Sequence, residues 1–143
     1  MTEDPKRSVR LDWSGDGLRF SGCGTHPATP TIQIDGDNET APGPMLDLLL
    51  AVAGCTAADI VLMLEKMRVD LSRLSVDVDG NRRGEDPRRF EGIHLRYHIG
   101  GNGLDDAKAQ RAVSLSVEKY CSVMHTLAPD VAISYDVEIS DDC

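Results

Sequence analysis

At 143 residues the chain has the size of one globular domain and is too short to divide comfortably into two; 24 acidic against 15 basic side chains leave a net charge of −9. A field of that sign repels phosphate backbones and anionic lipid surfaces, so neither nucleic acid nor membrane is expected as a partner. The opening MTEDPKRSVR holds no apolar stretch of the kind a secretory signal needs, so residues 1–7 are expected to form a flexible tail and the protein to reside in the cytoplasm.

Val9, Leu11 and Trp13 alternate with Arg10 and Asp12, Gly15-Asp16-Gly17 supplies a turn, and Leu18 and Phe20 resume the period of two, which predicts a β-hairpin. The Gly-, Pro- and Thr-rich stretch from Gly22 to Pro30 is expected to be a loop, followed by a third short strand from Thr31 to Asp35. From Pro44 to about Arg68 the pattern predicts one long helix, with Pro44 in its first turn and Lys66 and Arg68 in its last. Its first half is apolar on every side, which predicts burial all round, and Asp47 and Asp59 interrupt it before a membrane span could be completed.

Leu74, Val76 and Val78, then Ile93, Leu95, Tyr97 and Ile99, alternate with polar residues and predict two strands joined by a turn from Gly80 to Arg89. Asp105 and Asp106 open a second helix with a stripe through Ala109, Ala112, Val113, Val117 and Tyr120, extended by Cys121 and Met124. After Pro129, the residues Val131 to Ile139 form a last strand with one buried face. The order ββ(β)-α-ββ-α-β is an α+β fold class of antiparallel hairpins and two helices. The first helix is too hydrophobic for one sheet to cover, so a second subunit is expected and with it an intertwined homodimer.

The cysteines at 23, 55, 121 and 143 show no CxxC spacing, and a cytosolic chain of this size needs no disulfide framework. The ordinary fate of a free cysteine is inert core packing. Cys55, however, lies on the line Leu48, Val52, Cys55, Asp59, Leu62 beside small residues Gly54, Thr56, Ala57 and Ala58, which let another group approach its sulfur. Nucleophilic chemistry needs the thiolate, whose formation burial opposes and a neighbouring cation favours. Asp59, one turn after Cys55, and Glu118, three residues before Cys121, act in the wrong direction, so an activating arginine has to come from elsewhere in the fold or from a partner subunit. The cysteines and histidines lack the paired spacing of a metal site, and His94 and His98 share one exposed strand face. No GxSxG elbow is present.

Pro44-Met45, the run Leu48-Leu49-Leu50-Ala51-Val52-Ala53-Gly54-Cys55-Thr56-Ala57-Ala58-Asp59, and Glu118-Lys119-Tyr120-Cys121-Ser122-Val123 resemble the two cysteine motifs of the OsmC/Ohr superfamily. That superfamily comprises osmotically inducible protein C and the organic hydroperoxide resistance proteins. The similarity runs from about Trp13 to Ile139. The resemblance implies an OsmC-like fold in which antiparallel β hairpins wrap around two helices of an interlocked homodimer, each active site being made by both chains. It also implies an antioxidant peroxidase of the oxidative stress response: the first cysteine attacks an organic hydroperoxide and becomes a sulfenic acid, and the second condenses with it to a disulfide.

By this resemblance Cys55 is peroxidatic, Cys121 is resolving, the reductant is a dithiol or a lipoylated protein, and no metal, haem or other cofactor takes part. Where the family's peroxidases place a Glu nine residues before the first cysteine to orient an activating Arg, this chain has Leu46, so Asp47 and Asp59 are the candidate carboxylates. No arginine lies between Phe20 and Cys55. Arg19 in the second strand is therefore the candidate cation, serving if its face, opposite Leu18 and Phe20, covers a partner's helix. A catalytically weak OsmC-like stress protein that binds a small hydrophobic ligand in the dimer cleft is the alternative implied by the same fold, and a purely structural dimerisation module is a third.

Overall fold

The computed structural model describes residues 6–24 and 30–140, which fall into two compact units, one reaching to Leu48 and one beginning at Leu49. In the first unit β1 (Val9–Trp13), β2 (Arg19–Gly24) and β3 (Ile32–Asp35) form an antiparallel sheet in the order β1-β2-β3. The hairpin turn works because Gly15 and Gly17 take positive φ, and Trp13 Nε1 ties it by donating to Gly17 O at 3.0 Å. The alternation that predicted the hairpin puts Leu11 and Ile32 on either side of Gly22 on one apolar face.

The expected loop from Gly22 starts later than its glycines suggest. Gly22 to Gly24 continue β2, with Cys23 opposite Arg10, because the backbone of β1 is there to pair with them. The remainder of that loop, residues 25–29, and the tail residues 1–5 lie outside the described residues, as does Cys143. After β3, buried Asp35 organises the chain toward the long helix. Its carboxylate accepts the N–H groups of Asp37, Glu39 and Thr40 and the hydroxyl of Thr40, at 2.9 to 3.2 Å. These donors, the Thr40 N–H foremost, hold it down at about 2.

The long helix, α1, runs Pro44–Lys66. It ends where Arg68 takes a left-handed conformation and the Val69 N–H closes on Leu64 O at 3.0 Å, so Arg68 caps the helix and does not belong to its last turn. Leu49, Val52, Thr56, Ile60 and Leu64 are buried at helical spacing. The expectation of burial all round fails within one chain: Leu46, Leu50, Val61 and Leu62 are exposed, Leu50 by 59%. Within the second unit this helix has one sheet to pack on. By length and composition α1 is also apolar enough to cross a membrane, Asp47 and Asp59 notwithstanding.

In the second unit β4 (Asp70–Arg82) pairs antiparallel with β5 (Phe90–Asn102), and β6 (Ala132–Ile139) lies on the other side of β5. Contrary to an all-hairpin arrangement, β6 runs parallel to β5, as the helical crossover between them permits. Ile93, Leu95, Tyr97 and Ile99 of β5 are all buried. On the outer face His98 meets Asp77 and Glu138, each at 3.0 Å, and His94 meets Asp136, also at 3.0 Å, so the histidine pair serves cross-strand polar contacts.

The crossover is not the single helix its stripe predicted. The helix α2 (Asp106–Leu115) starts at Asp105, whose carboxylate accepts the Lys108 N–H at 2.8 Å. It passes into a π turn over Ser116–Tyr120, and a separate short helix, α3, covers Ser122–Thr126. The wider turn closes with the Cys121 N–H on Ser116 O at 2.8 Å. Its additional residue rotates the stripe, so Cys121 is buried while Tyr120, expected in the stripe, is 51% exposed.

Candidate active site

Cys55 sits midway along α1, half-buried, between Gly54 and the buried Thr56. Cys121 is fully buried at the break between the π turn and α3, where its backbone is extended. Its Sγ accepts the Met124 N–H at 3.3 Å, and this contact fixes the sulfur's position at the start of α3. These two elements, far apart in sequence, bring Cys55 near enough to Cys121 to act on its thiol. Burial pushes the Cys121 thiol up to about 11, the adjoining Cys55 adds to the rise, and the N–H groups of Met124 and Val123 oppose it.

Beneath the thiols runs a polar cluster in an otherwise apolar core. Tyr97 OH donates to Thr56 Oγ1 at 2.8 Å, and Thr56 Oγ1 donates to Ala53 O at 3.1 Å within the helical turn that carries Cys55. Burial pushes the Tyr97 phenol up to about 12, the bond to Thr56 opposes this, and neighbouring Cys121 adds to it. Ser116 Oγ in the π turn donates to Asp59 Oδ2 at 2.9 Å, with Thr56 O at 3.3 Å as a second acceptor. One patch of α1 is thus bonded both to β5 and to the π turn, the two elements that frame Cys121.

The other candidate residues are placed differently. Asp59 is engaged by Ser116 and lines an open groove of about 520 Å³ with Leu62, Met63, Lys66, Leu115 and Tyr120. Arg19, in the first unit, donates to Asp16 at 2.8 Å and lies 3.8 Å from both Asp35 and Glu39, so its charge is shared among three carboxylates. Asp47, in the first turn of α1, has a buried Oδ2 with no hydrogen-bond partner among the described residues. Leu46 beside it is exposed.

Tyr97 and Ser116 belong to no motif that pointed to them, and Thr56, although inside the first cysteine motif, reads there only as a small neighbour of Cys55. For Tyr97 a signal existed: a tyrosine on the inward face of a strand must find a partner for its hydroxyl. Ser116 has no such signal, because its role depends on the π turn.

A model of the OsmC-like protein family matches residues 36–136, which include both cysteine elements and most of the second unit. The chain belongs to the OsmC-like family. Protein YhfA of Escherichia coli strain K12 is 40% identical to this OsmC-like protein over 132 residues, covering 92% of this chain and 96% of YhfA. Among solved structures, a hypothetical protein from Aquifex aeolicus VF5 superimposes with a TM-score of 0.80 at 26% identity, covering 96% of this chain and 99% of the other. An organic hydroperoxide resistance protein OsmC from Legionella pneumophila shares the fold, with a TM-score of 0.68 at 16% identity over 96% and 99% of the two chains. The OsmC-like fold is therefore one that hydroperoxide resistance proteins also use.

Proposed function

We propose that this OsmC-like protein is a cytoplasmic thiol peroxidase that reduces organic hydroperoxides through a Cys55/Cys121 sulfenic acid and disulfide cycle. The observation that supports the reading is that the half-buried Cys55 neighbours the buried Cys121 closely enough to act on its thiol. A peroxidatic and a resolving cysteine must be neighbours so that the free dithiol can pass to a disulfide. A dithiol or lipoylated protein is the proposed reductant.

The active form is proposed to be a homodimer, because the apolar residues Leu46, Leu50, Val61 and Leu62 of α1 are left for a second copy to cover. Arg19 is proposed to act across that dimer as the activating cation, since five N–H donors allow it to take on a thiolate beside its carboxylates. Asp47 is the proposed orienting group, because its buried, unpartnered oxygen is satisfied by a guanidinium. Asp59, already held by Ser116, is the second candidate.

The test is consumption of cumene hydroperoxide in the presence of a dithiol. The parent is expected to consume peroxide in a dithiol-dependent manner and Cys55→Ser to fall to background. A parent no faster than Cys55→Ser defeats the reading. The groove lined by Leu62, Met63, Leu115 and Tyr120 favours the alternative, a stress protein binding a small apolar ligand. That reading gains if the parent is inactive yet binds an apolar fluorescent probe that Met63→Lys no longer binds.

A further inference from the structure

The loop that joins β4 to β5 reverses the charge of the molecule. Four of the chain's 15 basic side chains, Arg82, Arg83, Arg88 and Arg89, fall in residues 82–89, against two of its 24 acidic ones, Glu85 and Asp86. A segment of +2 in a chain of −9 leaves −11 for the rest, so this end of the hairpin is a basic tip on an acidic chain.

Arginines elsewhere have close carboxylates: Arg19 is shared among three and Arg96 is paired with Asp79. At the hairpin end Arg89 has one, Asp130 at 2.6 Å, but the other three do not. Arg88 reaches Asp86 at 3.8 Å, beyond hydrogen-bond length. Arg82 directs its Nε to a neutral acceptor, Arg88 O, at 2.7 Å. Arg83 bonds through its backbone N–H, to Arg89 O at 3.0 Å, and its guanidinium has no partner among the described residues. These guanidiniums are carried on a loop that is held in place. The Arg82 and Arg83 bonds cross it, Asp130 ties Arg89, and the buried Phe90 packs so closely on Gly80 that a Cβ there would lie 2.5 Å from its ring.

We propose that this hairpin end docks an acidic segment of another protein, whose carboxylates are taken by Arg82, Arg83 and Arg88. A guanidinium fork matches a carboxylate with two parallel N–H bonds, and three forks around one loop fit several carboxylates in sequence better than one small anion. The −11 of the remaining chain repels an extended polyanion or an anionic lipid surface, whereas a short segment meets the tip alone. A held loop also loses little freedom on binding. The proposal stands apart from the peroxidase reading, because none of these arginines belongs to the thiol site.

The experiment is fluorescence anisotropy of a labelled peptide of eight glutamates with the full chain. The parent is expected to bind it at about 20 mM salt and to lose about tenfold in affinity or more by about 200 mM, as exposed charge pairs are screened. Arg83→Gln/Arg88→Gln breaks none of the bonds that hold the loop and is expected to weaken binding about tenfold at the lower salt. Arg10→Gln/Arg111→Gln removes the same charge elsewhere on the chain and is expected to stay near the parent affinity. Should the first pair not fold, Arg88→Glu, changed at an exposed position, gives the same contrast.

A parent that does not bind the peptide overturns the proposal, and so does an equal loss in both pairs, which marks a general charge effect. Tighter binding of a single strand of eight thymidines through the same two arginines overturns it in favour of nucleic acid. A parent mass that rises at low salt and reverts in Arg83→Gln/Arg88→Gln overturns it in favour of a second copy of this chain.

Discussion

The helix that carries Cys55 and the segment that carries Cys121 solve opposite problems. Around Cys55 the backbone is an unbroken helix, the neighbours are small, and the sulfur is partly open. Around Cys121 the helix is interrupted by a π turn, the residue itself is extended, and the sulfur is sealed in the core. The contrast shows how one fold can leave one thiol partly open and seal another in its core. Regular structure presents the first, and a local irregularity re-aims the second.

The largest effect expected from breaking this contrast is on the open side. Cys55→Ser removes the proposed attacking sulfur and is expected to abolish dithiol-dependent peroxide consumption altogether, as measured with cumene hydroperoxide, whereas Cys23→Ser, at a half-buried strand position, is expected to leave the rate unchanged. A comparable loss from both substitutions contradicts the division of roles.

Next in size is the unpaired face of the Cys55 helix. Leu50 and Leu62 are 59% and 58% exposed, and a charge at either position faces a second copy across the proposed interface. Leu50→Glu and Leu62→Glu are each expected to shift the protein from dimer to monomer at micromolar concentration, in sedimentation or light scattering, with an obligate interface of this kind burying about 2,000 Å² or more. An unchanged mass in both variants removes this face from the interface.

Much of the scaffold is legible in the sequence, because period two and period 3.6 follow from burial alone. Val9 to Phe20, Pro44 to Lys66 and Ile93 to Ile99 read correctly as hairpin, helix and inward-facing strand. The direction of β6 is not legible, since a strand with one buried face has the same alternation whether it runs parallel or antiparallel. The π turn is hidden for a similar reason: Val117, Tyr120, Cys121 and Met124 fit an uninterrupted helical stripe, and only the backbone reveals that Tyr120 leaves it. The cysteine pair is legible through motif resemblance, whereas the bracing by Thr56, Tyr97 and Ser116 and the carboxylates around Arg19 arise from residues that only the fold brings together.

A smaller effect sharpens the role of that bracing. Tyr97→Phe removes the bond to Thr56 while keeping the ring's packing, and Thr56 retains its own bond to Ala53 O. The expected cost is about 1 kcal/mol in denaturant unfolding, with little change in fold. A loss several times larger means that Tyr97 contributes more than one hydrogen bond.

The smallest effect concerns the first unit. Asp35 is held at about 2 against a usual value of 3.8, so its contribution to stability is complete above pH 3.8 and is lost as the pH falls through about 2. In acid titrations followed by urea unfolding, the stability advantage of the parent over Asp35→Asn is expected to shrink across that window. An advantage that is constant with pH contradicts the ionised, turn-capping role.

The most direct measurement treats the fully reduced protein with one equivalent of cumene hydroperoxide, blocks the remaining thiols, and maps the cross-links by peptide mass spectrometry. A peptide pair joined through Cys55 and Cys121, restored to free thiols by a dithiol, is the predicted result. Both cysteines recovered as free thiols, or Cys55 joined to a cysteine other than Cys121, contradicts the proposed cycle.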